Sequence, residues 1–133
     1  MARALHRHAH SPGFLALVAD AKSRVREFGV VEFQKRVEAG EQWTLIDIRE
    51  DHEWDRGHLP GAIHIGRGIL ERDIEKAVPD KDAPIVLQCG GGFRSALSAD
   101  NLQRMGYRNV VSLDGGYRGW VSAGFPVVET HCE

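Results

Sequence analysis

The sequence predicts a single α/β domain, with a central, mostly parallel sheet, helices on both of its faces, and an extra N-terminal helix. Short apolar or β-branched runs at 44–48, 85–88 and 110–113 alternate with segments whose apolar residues recur at helical spacing. This alternation is typical of parallel sheets that are covered on both faces. A chain of 133 residues is large enough for one core without metal or disulfide support.

The first ten residues are predicted to be a flexible, histidine-containing tail. His6, His8 and His10 alternate, and alternating histidines on an extended chain can collect a divalent metal. No carboxylate or thiol ligand stands nearby in the sequence, so a flexible polar tail over 1–10 is the favoured interpretation.

An N-terminal helix is predicted over 11–29. Ser11 and Pro12 match an N-cap followed by proline at the first helical position, and Gly29 matches a C-cap. The packing partner of this helix is left open. It covers the domain or mediates self-association.

From residue 30 onward the chain reads as a regular succession of elements. In order, these are a helix that stops at Gly40, strands at 44–48 and 62–65, a helix closed by Pro79, the strand 85–88, a helix that ends at Gly106, the strand 110–113, and a short helix in which Trp120 serves as core packing.

Composition narrows the classes of partner. A net charge of −2 without a basic run gives no field for nucleic acid. No stretch approaches the roughly 20 apolar residues of a membrane helix. Two cysteines form no disulfide framework, so we expect a reducing compartment and a cytoplasmic location. Arg3 and Arg7, with no acidic residue before Asp20, are also compatible with an organellar transit peptide.

The stretch most indicative of chemistry joins the strand 85–88 to the following helix. Cys89 is followed by three glycines and then by Phe93, Arg94 and Ser95. Glycines let backbone N–H groups converge on one point, and a helix N-terminus and an arginine both favour a thiolate over a thiol. The pattern therefore predicts that Cys89 is a nucleophile. The structural alternative is a buried cysteine beside a tight turn.

This run resembles the active-site loop Cys-x-x-Gly-x-Arg-Ser of the rhodanese-like sulfurtransferases, at Cys89, Gly92, Arg94 and Ser95. Two further stretches are similar to the amino- and carboxy-terminal signatures of that family, Leu45-Ile46-Asp47-Ile48-Arg49-Glu50 with Glu53-Trp54 and Gly57–Ala62, and Leu113-Asp114-Gly115-Gly116 with Trp120 and Gly124–Val127. The resemblance implies a rhodanese-like domain over 30–128, which leaves a C-terminal tail over 129–133.

The resemblance also implies roles for individual residues. Cys89 would be the catalytic residue, and Asp47 and Arg49 would brace its loop. For Arg49, a surface salt bridge to Glu50 or Glu53 is the alternative. The substrate- or persulfide-binding loop would comprise Gly90, Gly91, Gly92, Phe93, Arg94 and Ser95.

Three other residues invite a functional interpretation. Arg67 follows a strand near the same sheet edge and is expected to add charge to the pocket mouth. His58 lies in a turn, where an imidazole bonded to backbone carbonyls is favoured over a general base. Cys132 is interpreted as a frayed terminal thiol rather than a second sulfur acceptor.

The predicted function is sulfur transfer. Cys89 would take the sulfane sulfur of thiosulfate or another persulfide donor and pass it to cyanide or a thiol, with a protein as a further candidate acceptor and no metal or cofactor. Two alternatives remain. Cysteine-dependent phosphatases of similar fold carry five residues between Cys and Arg, whereas this chain has four. The second alternative is a sulfur-carrier or protein-binding module with little turnover, suggested by Gly90, where many sulfurtransferases of the family have a basic residue.

Overall fold

The structure is a computed structural model and describes residues 10–129. Helices and strands alternate along the whole of this part of the chain. In order, they are α1 (Pro12–Lys22), β1 (Arg26–Gly29), α2 (Val30–Glu38), β2 (Thr44–Asp47), α3 (Asp51–Asp55), β3 (Ile63–His64), α4 (Arg67–Ala77), β4 (Ile85–Gln88), α5 (Phe93–Arg104), β5 (Val110–Asp114) and α6 (Gly116–Ser122).

The five strands form one sheet in the order β1-β5-β4-β2-β3, and every neighbouring pair is parallel. The predicted parallel α/β architecture is therefore confirmed. Strand β4 is the central strand, with β5 on one side and β2 on the other. Because parallel strands end at a common edge, the segments that follow β2, β4 and β5 meet there.

The core consists of two apolar layers, one on each face of the sheet. On β4, Ile85 and Leu87 belong to one layer and Val86 to the other, as the two-residue period of a strand requires. Helices α4 and α5 cover the first layer, whereas α2 and α6 cover the second. Trp120 on α6 is 4% exposed, which confirms its predicted place in the core.

The predicted helix over 11–29 is wrong beyond Lys22. The chain leaves the helix at Ser23, and 26–29 becomes the edge strand β1, paired with β5. Phe28 in this strand is 1% exposed and packs in the second apolar layer. Gly29 is the N-cap of α2 instead of a helix C-cap. The apolar residues of 11–29 are spaced as in a helix, but they are also compatible with a short edge strand. Pairing with β5 makes 26–29 a strand.

Helix α1 packs on the domain itself. Val18 and Ala21 are buried, and the Arg24 guanidinium just after the helix binds the Asp100 carboxylate of α5 at 2.8 Å. Of the two roles left open by the sequence, covering the domain is thus the one seen. Self-association stays a prediction, and Leu15 and Leu17 remain 43% and 61% exposed.

Helix α3 completes the fold near the site. Helix α3 was not predicted, and it begins with a reciprocal capping box between Glu50 and Glu53.

No helix between residues 10 and 129 has the length and apolar character needed to cross a membrane. His6, His8 and Cys132, on which sequence-based interpretations fell, lie outside the described residues.

Candidate active site

Cys89 directly follows β4, and the loop 89–92 carries the chain into α5. Gly92 is the N-cap of α5 and has a φ of 100°, a left-handed conformation that favours glycine. A Cβ at this position would also lie 3.0 Å from the backbone nitrogen of Gly115. The turn can therefore fold back over Cys89 only because Gly92 lacks a side chain.

Polar groups surround the Cys89 sulfur. The N–H groups of Gly92 and Ser95 donate to Sγ at 3.1 and 3.4 Å. The Ser95 hydroxyl lies 3.5 Å from Sγ and 2.7 Å from the hydroxyl of Ser112 on β5. A protonated thiol donates to Ser95 Oγ, whereas a thiolate accepts a hydrogen bond from Ser95, whose oxygen then accepts one from Ser112.

These contacts lower the pKa of the Cys89 thiol from its ordinary value of 9.0. Burial is the largest single influence and by itself raises the pKa. The Ser95 hydroxyl and the N–H groups of Ser95, Gly91 and Gly92 together outweigh burial, because they stabilise the thiolate. These N–H groups and the Ser95 hydroxyl therefore favour an anion at Sγ.

Arg94 lies beside the loop, but its charge is balanced. Its two terminal nitrogens donate to the two carboxylate oxygens of Glu53 on α3, at 3.0 and 3.2 Å. Burial alone raises the pKa of Glu53, but the hydrogen bonds from Arg94 and from the N–H of Glu50 lower it to about 2. Arg94 is thus held in place by Glu53, whose hydrogen bonds raise the pKa of the guanidinium, and the charge of Arg94 also acts on the Cys89 thiolate.

A second arginine, Arg118 on α6, reaches over the two other glycines of the loop. A Cβ at Gly90 would lie 3.0 Å from Nη1 of Arg118 and 3.0 Å from Nη2 of Arg94, and a Cβ at Gly91 would collide with Nη2 of Arg118. Neither glycine has a positive φ. The guanidinium of Arg118 therefore occupies the space that a side chain on this loop would fill.

A cavity of about 380 Å³ opens onto Cys89. Although Cys89 is only 1% exposed, it forms part of the cavity wall, so the thiol is buried without being sealed off. The remaining wall residues come from the N-terminal segment, α4, the loop and the two helices that flank it, and they are His10, Phe14, Arg67, Gly91, Phe93, Arg94 and Arg118. Arg67 thus lies in the wall of this cavity.

The N-terminal segment supplies an aromatic side to this cavity. The His10 ring lies with its centroid 4.9 Å from that of Phe93, and Phe14 on α1 lies 6.2 Å from the same ring. These spacings are those of tilted aromatic pairs. Phe93, the first residue of α5, therefore contacts the helix that precedes the predicted domain.

Asp47 and Arg49 form a buried ion pair behind the loop. The Arg49 guanidinium donates to the Asp47 carboxylate at 2.9 Å, and the side chains are 5% and 0% exposed. The alternative of a surface salt bridge from Arg49 to Glu50 or Glu53 is wrong. Arg49 also donates to the Gly57 carbonyl at 2.7 Å and lies 4.2 Å from the ring centre of Tyr117.

Tyr117 connects this pair to the loop, because its N–H donates to the Cys89 carbonyl at 2.8 Å.

The predicted hydrogen bond between the His58 imidazole and a backbone carbonyl is wrong. The His58 ring stacks on Trp54 at 3.5 Å, and its Nδ1 has no hydrogen-bond partner in the described part of the chain. The imidazole that bonds a carbonyl is His64, at 2.8 Å from the oxygen of Arg49.

Sequence reasoning missed five residues around the site, namely Glu53 as the partner of Arg94, Ser112, Tyr117, Arg118 and Phe14. For Tyr117 and Arg118 a signal existed. They follow β5, and the carboxyl ends of neighbouring parallel strands share one edge. No sequence signal placed Phe14 there, because the packing of α1 depends on tertiary contacts.

The chain is similar to proteins of a known family. The model of the rhodanese-like domain matches residues 30–123. YtwF of Bacillus subtilis, named as a candidate sulfurtransferase, is 33% identical over 96 residues, which cover 72% of this chain and 90% of YtwF. YrkF of the same organism, named as a candidate sulfur carrier protein, is 28% identical over 74% of this chain. That match spans 52% of YrkF, about half of its length.

Solved structures agree on the fold. RPA3614 of Rhodopseudomonas palustris, described as a possible tyrosine phosphatase, has a TM-score of 0.79 and 29% identity, covering 91% of this chain and 98% of that one. The polysulfide-sulfur transferase homodimer of Wolinella succinogenes has a TM-score of 0.73 and 28% identity, covering 87% of each chain.

Proposed function

The chain belongs to the family of rhodanese-like domains, and from this premise we propose that it is a sulfurtransferase that carries sulfane sulfur as a persulfide on Cys89. The observation that carries the proposal is the convergence of the Gly92 and Ser95 N–H groups on Sγ, together with the lowered pKa of the thiol. A thiolate is the nucleophilic form of cysteine. The names of the relatives YtwF and YrkF are consistent with this chemistry.

In the first half-reaction the Cys89 thiolate attacks the outer sulfur of a donor. The S–S bond of the donor breaks, and its electron pair leaves with the inner sulfur, as sulfite from thiosulfate or as a thiolate from an organic persulfide. Cys89 then carries a persulfide whose terminal sulfur is anionic. The loop N–H groups are aimed at this region, where donors arranged in advance stabilise charge without further reorganisation.

In the second half-reaction a nucleophilic acceptor, cyanide in an assay or a thiol, attacks the terminal sulfur of the persulfide. The bond between the two sulfurs breaks, and the Cys89 thiolate is restored with its electron pair. No net oxidation occurs, because one sulfane sulfur moves from donor to acceptor. The two covalent steps predict ping-pong kinetics.

Steady-state kinetics with thiosulfate and cyanide test the proposal. We expect parallel double-reciprocal lines when both substrates are varied and no turnover by Cys89→Ser, with Ser98→Ala as a control for folding. Ser98 is suitable because its hydroxyl is buried without a hydrogen-bond partner among residues 10–129. Equal turnover by wild type and Cys89→Ser would refute the proposal.

A sulfur carrier with little turnover of its own is the second candidate, and the name of YrkF favours it. A carrier would load one sulfur on Cys89 but release it slowly to small acceptors. Rapid-mixing measurements separate the two. Fast loading followed by fast release to cyanide identifies a transferase, whereas fast loading with slow release identifies a carrier.

Phosphatase activity is a third candidate, because RPA3614 is described as a possible tyrosine phosphatase. Four residues separate Cys89 from Arg94, and a shorter loop makes a smaller ring for the oxygens of a phosphoryl group. We therefore expect negligible hydrolysis of aryl phosphates. Turnover of an aryl phosphate at a rate comparable to that of thiosulfate would reverse this order.

A further inference from the structure

Gly90 gives the loop around Cys89 no cationic side chain, but the guanidinium groups of two arginines lie close to this glycine. Nη1 of Arg118 lies 3.0 Å from the point where a Cβ of Gly90 would stand, and Nη2 of Arg94 lies 3.0 Å from the same point. Two guanidinium groups are therefore close neighbours there. Both guanidinium groups carry hydrogen-bond donors that an anion above Gly90 could accept from.

Only one of these two arginines has its charge balanced by the protein. Arg94 is paired with Glu53 through both carboxylate oxygens. Arg118 makes no ion pair within residues 10–129, and neither does Arg67, the third arginine of the cavity wall. The cavity therefore holds positive charge that the described part of the chain leaves unneutralised.

The position of Arg118 is fixed by the backbone. Its N–H donates to the Gly90 carbonyl at 2.9 Å, and the preceding N–H, of Tyr117, donates to the Cys89 carbonyl at 2.8 Å. Both glycines, Gly90 and Gly91, leave room for its guanidinium, and neither needs to be glycine for its own φ. Arg118 is therefore attached to the loop and reaches across it.

The size and lining of the cavity indicate the kind of anion. Its volume of about 380 Å³ lies within the roughly 300–1,000 Å³ of pockets that hold organic ligands. Phe14 and Phe93 give it apolar surface beside the arginines. Such a cavity suits an organic donor with a charged end better than a compact inorganic ion. Arginine binds carboxylates through paired hydrogen bonds.

We propose that Arg118 binds the anionic end of the sulfur donor, in place of the cationic side chain that the loop lacks, and that the donor is an organic persulfide bearing a carboxylate. This inference rests on the proposed persulfide chemistry at Cys89. The Cys89 thiolate attacks the outer sulfur of the protonated donor, which keeps its hydrogen, while the S–S bond of the donor breaks and the inner sulfur leaves as a thiolate. The new, acidic Cys89 persulfide gives up its proton to that leaving thiolate.

The test compares two donors that differ only in charge, the persulfides of 3-mercaptopropionate and of its amide, 3-mercaptopropionamide. We expect wild type to prefer the acid. Arg118→Ala should lose roughly ten- to a hundredfold in kcat/KM for the acid, the loss expected for one charge-assisted hydrogen bond, and only a few-fold for the amide. Arg118→Lys should retain part of the preference.

Moving the charge provides a gain-of-function control. In Arg118→Ala the space above Gly90 is free of that guanidinium, so Gly90→Lys should restore the preference for the acid, whereas Gly90→Ala should not. Arg72→Ala, which removes an exposed arginine paired with its neighbour Asp73, controls for net charge and should leave the preference unchanged.

The outcomes separate this inference from the proposed function. Equal rates for acid and amide in wild type, or equal losses for both donors in Arg118→Ala, would overturn the role of Arg118 while leaving the persulfide chemistry intact. No sulfur on Cys89 of the wild type with any donor would instead overturn the proposed function.

Discussion

A Cβ on Gly116 would collide with the carbonyl oxygen of Cys89. Gly116 is the first residue of α6 and has a φ of 55°. The contact lets the next two residues donate their N–H groups to the carbonyls of Cys89 and Gly90 at 2.8 and 2.9 Å. A glycine on a different element thus lets α6 lie against the loop and fix it from behind.

Substitution of this glycine should disturb the fold as well as the loop. We expect Gly116→Ala to lower the free energy of unfolding by at least roughly 1–3 kcal/mol, because it adds a left-handed non-glycine residue and a clash with backbone. Urea denaturation measures the change. As a control, Gly68→Ala in α4 meets no atom within 4 Å and should be neutral or stabilising by up to about 1 kcal/mol. Equal stability of the two variants would contradict the close packing of α6 on the loop.

Ser95→Ala should raise the pKa of Cys89, because the hydroxyl that stabilises the thiolate is lost. It also leaves the buried hydroxyl of Ser112 without this partner, which should cost about 1–3 kcal/mol of stability. The pH profile of alkylation by iodoacetamide measures the pKa. Ser98→Ala, on the same helix, removes a hydroxyl with no partner in the described chain and should shift neither quantity. An unchanged alkylation profile in Ser95→Ala would contradict the assigned contact.

The lowered pKa of Cys89 also links stability to pH. The thiol ordinarily titrates at 9.0 and at a lower pH in the folded protein, so the unfolded chain binds more protons between these two values. The stability contributed by the thiolate is fully present above 9.0 and is lost as the pH falls through the folded pKa. The difference in unfolding free energy between wild type and Cys89→Ser should therefore rise with pH across this window. A difference that falls with rising pH would show that the thiol pKa is raised by burial instead.

The buried pair of Asp47 and Arg49 should be costly to break. Asp47→Asn leaves the 4%-exposed Arg49 without its carboxylate, and we expect a loss of roughly 3–5 kcal/mol. The exposed pair of Arg108 and Asp82, with side chains 66% and 68% exposed, provides the control, since Asp82→Asn should cost less than about 1 kcal/mol. Thermal denaturation of both variants measures the contrast. Similar losses would mean that the Asp47 pair is not shielded from water.

Much of the fold could be predicted because its signals are local. The strand at 85–88 is apolar at every position until its last residue, and Gly92 and Gly106 bound the helix after it, so β4 and α5 follow directly from pattern. Strand β1 could not be predicted in this way. Val25 and Phe28 suit a helix or an edge strand, and only pairing with β5 decides between them.

The site shows the same division. Cys89 and its glycines could be identified because they are consecutive in sequence. The partner of Arg94, by contrast, is Glu53 on α3, 41 positions earlier in the chain. Arg118 reaches the loop through space from α6. The sequence does not show that the Arg118 guanidinium occupies the space beside Gly90 and Gly91 where side chains would otherwise lie.

Localising an added sulfur atom tests the central claim most directly. The wild-type protein would be treated with thiosulfate or with the persulfide of 3-mercaptopropionate, alkylated, digested and analysed by mass spectrometry. We expect the peptide that contains Cys89 to gain one sulfur atom, the gain to disappear after cyanide is added, and no gain in Cys89→Ser. A Cys89 peptide that gains no sulfur from either donor, or a gain that persists in Cys89→Ser, would contradict persulfide transfer at this site.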